Sequence, residues 1–522
     1  MILLQWILAL LVGAVLLAAL ARRIGAPSPA LLALGGAVLA LLPNGPRLSL
    51  APDLALALFV APVLLDAAFD SSLRDLHQNW VPLTSLILIA VGVTTVAVAI
   101  VAHWLVPAMP WAVAVTLGAL VAPPDAAAAI AVLKEVRLPH RLLVILEGES
   151  LLNDGSALLI YRLAVGAAVA HSGSTLEVAS TLALVLGGSL AVGAVCAYAF
   201  DLFLPLFSNV PSSIILQFVG TFGVWIIADR LQLSGVLTIV TFAFILSRRA
   251  PIRMPAAVRV PSYAVWETAV FLLNALAFVM VGLQIGPILS RIAPAQRMQT
   301  FTFAAGVLVT AVLARAWWVM VYNVSLRLIN GVLGSRTPRT MAVPPFKRTL
   351  IVAWCGMRGI VTLAAALALP DGSGSAPAFP YRDLIVLTAF LVVLGTLVIQ
   401  GLTLRPLLLA LGLESDDVIE EETRVGREEI FKAAIRSLGQ NTEAAAALHR
   451  EYSDLLARVD GSAALSPQAR QDEASLRARA QAAAREKLSR LRLTGTIGDS
   501  AFQQLETELD LVELDTEVRN RW

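Results

Sequence analysis

The sequence predicts an all-α polytopic membrane protein with a soluble helical tail at its C-terminal end. Of the 522 residues, 58% are hydrophobic and only 15% charged, and mean hydropathy is +0.78, more apolar side chain than a water-soluble core of this length could hide. The apolar residues fall in continuous runs long enough to cross a bilayer. From Glu414 onward the composition changes abruptly to Glu, Arg, Ala and Gln. Net charge is only +2 and says little about partners by itself; the apolar composition makes lipid the expected surrounding, with small ions as further partners and no nucleic acid.

Apolar runs of about 17 to 25 residues give roughly thirteen spans. Their expected limits are 2–21, 27–43, 52–70, 80–104, 110–134, 139–170, 177–204, 209–229, 233–247, 262–290, 301–326, 346–369 and 384–412. The first run starts at Met1, is too long for a signal-peptide core and is followed at once by Arg22 and Arg23, so it stays as a spanning helix. Asp229 and Arg230 interrupt the chain between the eighth and ninth runs. Lys and Arg alternate between rich and poor loops, roughly fifteen to five, and the basic set belongs in the cytoplasm. That places the N-terminus outside and the C-terminus inside a cell inner membrane.

Residues 1–412 are thus the expected transmembrane domain and 413–522 a cytoplasmic tail, with helical spacing in "REEIFKAAIRSLG" and "AFQQLETELDLVEL" and a break from Val459 to Pro467. The tail reads as a regulatory or partner-binding module and carries no chemistry. Cys196 and Cys355 lie far apart in apolar stretches, without ligand spacing, and read as packing residues.

An ionisable side chain at the centre of a spanning helix costs at least about 2.5 kcal/mol, so each one needs a partner or a task. Asp66 stands in "APVLLDAAFD", Asp125 in "LVAPPDAAAAIAVLK", Glu149 and Asp154 in "EGESLLNDGSA", and Arg358 in "WCGMRGIVTLAAALALP". On the sixth span Glu149, Ser150, Asn153 and Asp154 stand at i, i+1, i+4 and i+5, one narrow stripe of oxygen-bearing side chains on an otherwise leucine-rich helix. Hard oxygen ligands of this kind suit Na⁺ or Li⁺. A helix-packing seam is the alternative, although a seam would not need two carboxylates.

Pro123 and Pro124 lack N–H groups and free the carbonyls of Ala119 and Leu120, so the fifth span should break or kink just before Asp125. Gly356 and Gly359, flanking Arg358, weaken the twelfth. Broken backbone is tolerated in a bilayer only where it faces protein or a water-filled cavity. Two discontinuous helices, one in each half of the chain, point to a transporter site between inverted repeats, with a kink serving packing alone as the alternative. Arg358 can hardly deprotonate and needs a carboxylate, for which Glu149 is the candidate; that pairing leaves Asp154 and Asp125 for a travelling ion. Otherwise Arg358 faces a cytoplasmic vestibule and pairs with nothing.

The strings "APPDAAAAIAVLKEV" and "LEGESLLNDGSALLIYRL" closely resemble the sodium/proton exchanger branch of the monovalent cation:proton antiporter superfamily. "WCGMRGIVTLAAALALP" is similar to that branch's arginine helix, "APVLLDAAFD" to its acidic third helix, and "VGLQIG" and "LARAWWVMVYN", which contains Arg315, also fit. The resemblance implies a thirteen-helix fold with an inverted repeat, usually a homodimer, with a dimerisation domain and a moving ion-binding core. It implies that Asp154 is the principal cation and proton carboxylate, that Asn153 lies beside it, that Asp125 and Ser150 help bind Na⁺, that Asp66 lies close by, and that Glu149 pairs with Arg358. Many members have Thr before the acid of the fifth helix. Here Pro124 can offer its backbone carbonyl but no hydroxyl. Asn rather than Asp before the key carboxylate goes, in this superfamily, with electroneutral one-for-one exchange.

The expected activity is antiport of H⁺ against Na⁺, or Li⁺, serving pH homeostasis, with no cofactor and no enzymatic step. A carboxylate taken out of water must be neutralised by a proton or by a cation, and the two compete for it. K⁺/H⁺ exchange keeps the fold and changes the ion. An intramembrane hydrolase with paired aspartates would leave Asn153 and Arg358 without roles, and a channel would carry current without a proton gradient.

Overall fold

The computed structural model describes residues 2–42, 51–125, 129–130, 133, 138–169, 175–207, 209–333, 343–371, 378–412 and 418–437, with scattered positions from 449 onward. Lipid offers no partner to backbone N–H and C=O groups, so a chain this apolar has to close its hydrogen bonds locally. Every regular element among the described residues is accordingly helical.

In order, the helices are α1 (Ile2–Ile24), α2 (Ser28–Leu41), α3 (52–70), α4 (Trp80–Leu105), α5 (Trp111–Val121), α6 (His140–Val169), α7 (Thr175–Phe203), α8 (Val210–Arg230), α9 (Gly235–Arg253) and α10 (Ala256–Leu283). α11 (Pro294–Leu333), a twelfth helix in two halves, α12a (Phe346–Trp354) and α12b (Ile360–Leu367), and α13 (Arg382–Leu411) complete the bundle. Each expected span has its helix. α3 and α4 contain π-helical turns at Leu56–Val60 and Ser85–Ala90, close to Pro62 and Pro82.

The longest helix departs from its expected limits for a simple reason, whereas the expected break after the eighth span is found. α11 runs well past both ends of the 301–326 apolar core, because helix-forming polar residues such as Gln296 and Arg327 extend it beyond the lipid-like portion. α8 does end at Arg230, and Gln232, at φ 57, turns the chain through the left-handed region into α9. Among the described residues, six helices are long and apolar enough to cross a bilayer by length and composition, namely those at Trp80–Leu105, Ser180–Leu206, Val210–Arg230, Ala257–Ser290, Pro294–Val332 and Arg382–Leu411. α2 and α5 are shorter apolar helices, and α3 and α12 are interrupted.

Large apolar side chains such as Leu16, Leu184, Leu202, Val219 and Leu313 point outward, as lipid-facing surface does. The two largest apolar clusters among the described residues are built one on α2, α5, α11 and α13 and the other on α3, α7, α8 and α9. α6 packs into both, with Leu146 in the first and Leu151 in the second. The polar stripe of α6 is therefore carried along the seam between two packed bodies. Polar tethers fix it further: Arg162 donates to the carbonyl of Leu233 at 3.3 Å, and Tyr161 to that of Ala365 at 3.0 Å.

The chain divides into two compact units, Met1–Ser415 and Asp416–Trp522. In the second, α14 (Val418–Ser437) carries an exposed run of ion pairs, Lys432 with Glu428 and Glu429 and Arg436 with Glu429. Lys432 holds the Glu428 carboxyl below its ordinary range. The "AFQQLETELDLVEL" stretch and the break at Val459 to Pro467 lie outside the described residues, apart from Leu511.

α2 and α10 approach most closely through paired glycines. A Cβ on Gly36 would lie 2.2 Å from the carbonyl oxygen of Val279, and one on Gly282 would lie 2.1 Å from that of Ala33. Gly282→Leu should therefore destabilise the purified protein by about 1–3 kcal/mol, seen as a lower thermal unfolding midpoint. Gly92→Leu, at a glycine with open space around it, should leave the midpoint where it is.

Candidate ion-binding site

Pro123 and Pro124 end α5 at Val121, and the chain continues to Asp125 without helix. In a regular helix the N–H of Asp125 would bond the carbonyl of Val121. Here it donates across to the carbonyl of Met357 at 2.6 Å, in the non-helical stretch between α12a and α12b. The abandoned Val121 carbonyl receives Nε of Arg358 at 2.9 Å. The two breaks thus exchange hydrogen bonds, each supplying what the other lost.

Arg358 is fully buried and spends its guanidinium on carbonyls, those of Val121, Gly356 and, at 3.2 Å, Ala311, while its N–H donates to Thr396 at 3.0 Å. It does not form the expected ion pair with Glu149. Glu149, 1% exposed, is held in a two-pronged pair by Arg315 of α11, with Nη2 2.9 Å from Oε2 and Nη1 on Oε1. Arg315 also donates to the carbonyl of Val352 at 2.9 Å. Each arginine therefore bonds a carbonyl in the last turn of one interrupted helix, Arg358 for α5 and Arg315 for α12a, where orphaned carbonyls gather partial negative charge. Arg358 is drawn to carbonyls that the two breaks expose, Val121 of α5 and Gly356 of α12, which leaves the carboxylate to Arg315. Arg315 was discoverable as a second candidate, since it sits in an apolar run and faces the same energetic demand for a carboxylate.

The α6 stripe divides into two rows. Asn153, fully buried, donates Nδ2 to the carbonyl of Pro124 at 2.9 Å; a carbonyl only accepts, which fixes the amide's orientation. Its Oδ1 has no hydrogen-bond partner. The Pro124 carbonyl, expected to ligate a cation, thus has one lone pair engaged and a second left over. Ser150 and Asp154, one residue further round, line a cavity of about 730 Å³. Asp66, Asp125 and Glu147 line it too, and Asp125 lies close enough to Asp154 for their charges to repel.

Asp125 is placed by the twelfth helix. A Cβ on Gly359 would lie 1.7 Å from Asp125 Oδ2, so the carboxylate rests against bare backbone at the N-terminus of α12b. The cavity also brings in Glu267, Gln217 and Asn274, which the sequence reading passed over. Glu267 was discoverable as an acid inside the tenth apolar run. Among the described residues, no three His, Cys, Asp or Glu side chains converge as a metal cage. The arrangement offers a few carboxylate, hydroxyl and carbonyl oxygens to one small monovalent cation or to a proton. The lining reaches Asp70, Leu204, Met254 and Arg259, all at one end of the bundle, and takes no described residue from the opposite turns at 106–110, 231–234 and 284–293.

Comparison with known proteins decides the class. The family model for the sodium/hydrogen exchanger transmembrane region matches residues 7–410. The chain belongs to the sodium/hydrogen exchanger family. An uncharacterised Na⁺/H⁺ exchanger of Mycobacterium tuberculosis is 29% identical over 530 residues, covering 97% of this chain and 95% of the relative. The low-affinity Na⁺/H⁺ antiporter of Synechocystis is 29% identical over 403 residues, 76% of this chain and 72% of that one. A sodium, potassium, lithium and rubidium/H⁺ antiporter of Bacillus subtilis is 27% identical over 506 residues, 94% and 74%. The sodium/proton antiporter structure from Methanocaldococcus jannaschii superposes with a TM-score of 0.59 at 20% identity, covering 77% of this chain and all of that one, and shows the shared fold. This member of the exchanger family is a multi-pass membrane transporter and not an enzyme.

Two tests follow. Arg315→Ala should cost about 3–5 kcal/mol by stranding the Glu149 charge, and adding Glu149→Gln should recover much of it. The matching cycle between Arg358→Ala and Glu149→Gln should be closer to additive, as measured by thermal unfolding in detergent. Gly359→Ala should displace Asp125 and lower exchange in vesicles at least tenfold while the protein still inserts.

Proposed function

We propose that this exchanger carries one H⁺ against one Na⁺, with Li⁺ as an alternative cargo, by alternating access with proton and cation competing for Asp154. The observation that carries the reading is the division of labour among buried charges. Glu149 is neutralised by Arg315, whereas Asp154 faces the cavity beside Asp125. Two neighbouring acids in a low-dielectric site attract a positive ion and favour having one carboxylate neutralised. Ser150, Asp66 and the remaining lone pair of the Pro124 carbonyl complete the ligand set.

The cavity end bearing Arg259 is also the end of the Lys/Arg-rich loops, which supports an inward-open conformation with the tail in the cytoplasm and the N-terminus outside. Rocking of one packed body against the other, along the seam that α6 occupies, would present the same acids to the outside. A homodimer in the inner membrane, working in pH homeostasis, fits this role. Coupling follows if the loaded core moves only when Asp154 is neutral, by either ion. A carrier neutral in both directions is insensitive to voltage, whereas one uncompensated charge would feel about 2.3 kcal/mol per 100 mV.

A second reading, K⁺/H⁺ exchange, draws on Pro124, which gives the site no hydroxyl, and on the potassium and rubidium named for the Bacillus relative. Everted vesicles supplied in turn with Na⁺, Li⁺, K⁺ and Rb⁺, with and without an imposed potential, test cargo and stoichiometry together. Na⁺-driven proton flux unaffected by potential is the expected outcome, and a response to K⁺ alone favours the second reading. Asp154→Asn should abolish flux in every cation. By calorimetry, Na⁺ affinity should fall about tenfold for each pH unit below the pKa of the shared acid and level off above it. Affinity indifferent to pH through that range would remove the basis for coupling.

A further inference from the structure

Away from the ion cavity, α4, α6, α11 and α12a enclose a second hollow of about 130 Å³. Its walls are apolar, with Leu86, Ile145 and Val319 among them, but its charged lining is of one sign, Arg141 and Arg348, and no Asp or Glu joins them. Arg141 donates Nε to Asn79 Oδ1 at 2.8 Å, which sets the plane of its guanidinium. Arg348 makes no ion pair or side-chain hydrogen bond with any described residue, and the two guanidiniums repel one another. The hydroxyl of Tyr322, also in the lining, is buried without a hydrogen-bond partner.

Like charges and an orphaned hydroxyl around one hollow are costly, and an anion between them relieves both. Arg141 and Arg348 stand in the first turns of α6 and α12a, so two helix N-termini add their positive ends to the same place. The guanidinium fork matches phosphate oxygens two at a time. The volume is well under the roughly 300–1,000 Å³ of drug-sized pockets, which suits a phosphate group and excludes a whole nucleotide.

We propose that this hollow binds a phosphate group, from a membrane lipid headgroup or from free phosphate, between Arg141 and Arg348 with Tyr322 as a further donor. Its occupant ties the start of α6, the helix that carries Asp154, to α11 and α12a. It acts apart from the exchange site and does not depend on which cation is carried.

The test titrates full-length purified protein with short-chain phosphatidic acid, with inorganic phosphate and with phosphate-free diacylglycerol, reading the thermal unfolding midpoint. Wild type and Lys347→Gln, which removes a neighbouring charge outside the hollow, should be stabilised by the phosphate compound and not by diacylglycerol. Arg348→Gln and Tyr322→Phe, the second removing only a hydroxyl, should show at least tenfold weaker apparent affinity. Stabilisation by phosphatidic acid alone identifies a lipid headgroup, and equal stabilisation by inorganic phosphate identifies the free anion. No stabilisation of wild type by either phosphate compound, or equal stabilisation of all four proteins, overturns the site.

Discussion

The constraint on which this site rests is that a backbone interrupted in lipid cannot leave its polar groups unpaired, since each would cost several kcal/mol. α5 and α12 are both interrupted, and each completes the other. The N–H of Asp125 crosses to Met357, and the side chain of Arg358 crosses back to Val121. That exchange fixes Asp125 against Gly359 and brings the Pro124 carbonyl within reach of Asn153. The position of Asp125 is a consequence of satisfying backbone.

Charge compensation follows from the same geometry. Arg358 and Arg315 each bond carbonyls in the last turn of an interrupted helix, but only Arg315 also meets a carboxylate. Glu149 is thereby held in an ion pair, whereas Asp154, five residues on, faces the cavity, as does Glu147. The i, i+4 geometry of a helix explains how one stripe serves two purposes: Glu149 and Asn153 form a row turned into protein, while Ser150 and Asp154 form the adjacent row turned toward the cavity.

Much of this was legible in the sequence. The apolar runs gave the spans because lipid permits little besides helix, the double proline gave the break in α5 because proline cannot donate, and the cost of charge in lipid singled out Asp66, Asp125, Glu149, Asp154 and Arg358. What could not be read was partnership. Arg315 and Arg358 are both buried arginines in apolar runs, and nothing local says which meets Glu149. That choice was made by the crossing of α11, α12 and α6, which sets Arg315 beside the carboxylate and Arg358 beside carbonyls. Glu267 and Glu147 likewise joined the cavity lining through packing. The sequence by itself determined which groups need compensation, because that need is a property of each residue in its solvent. Only the tertiary structure decided what compensates them, because partners distant along the chain are chosen by how the helices cross.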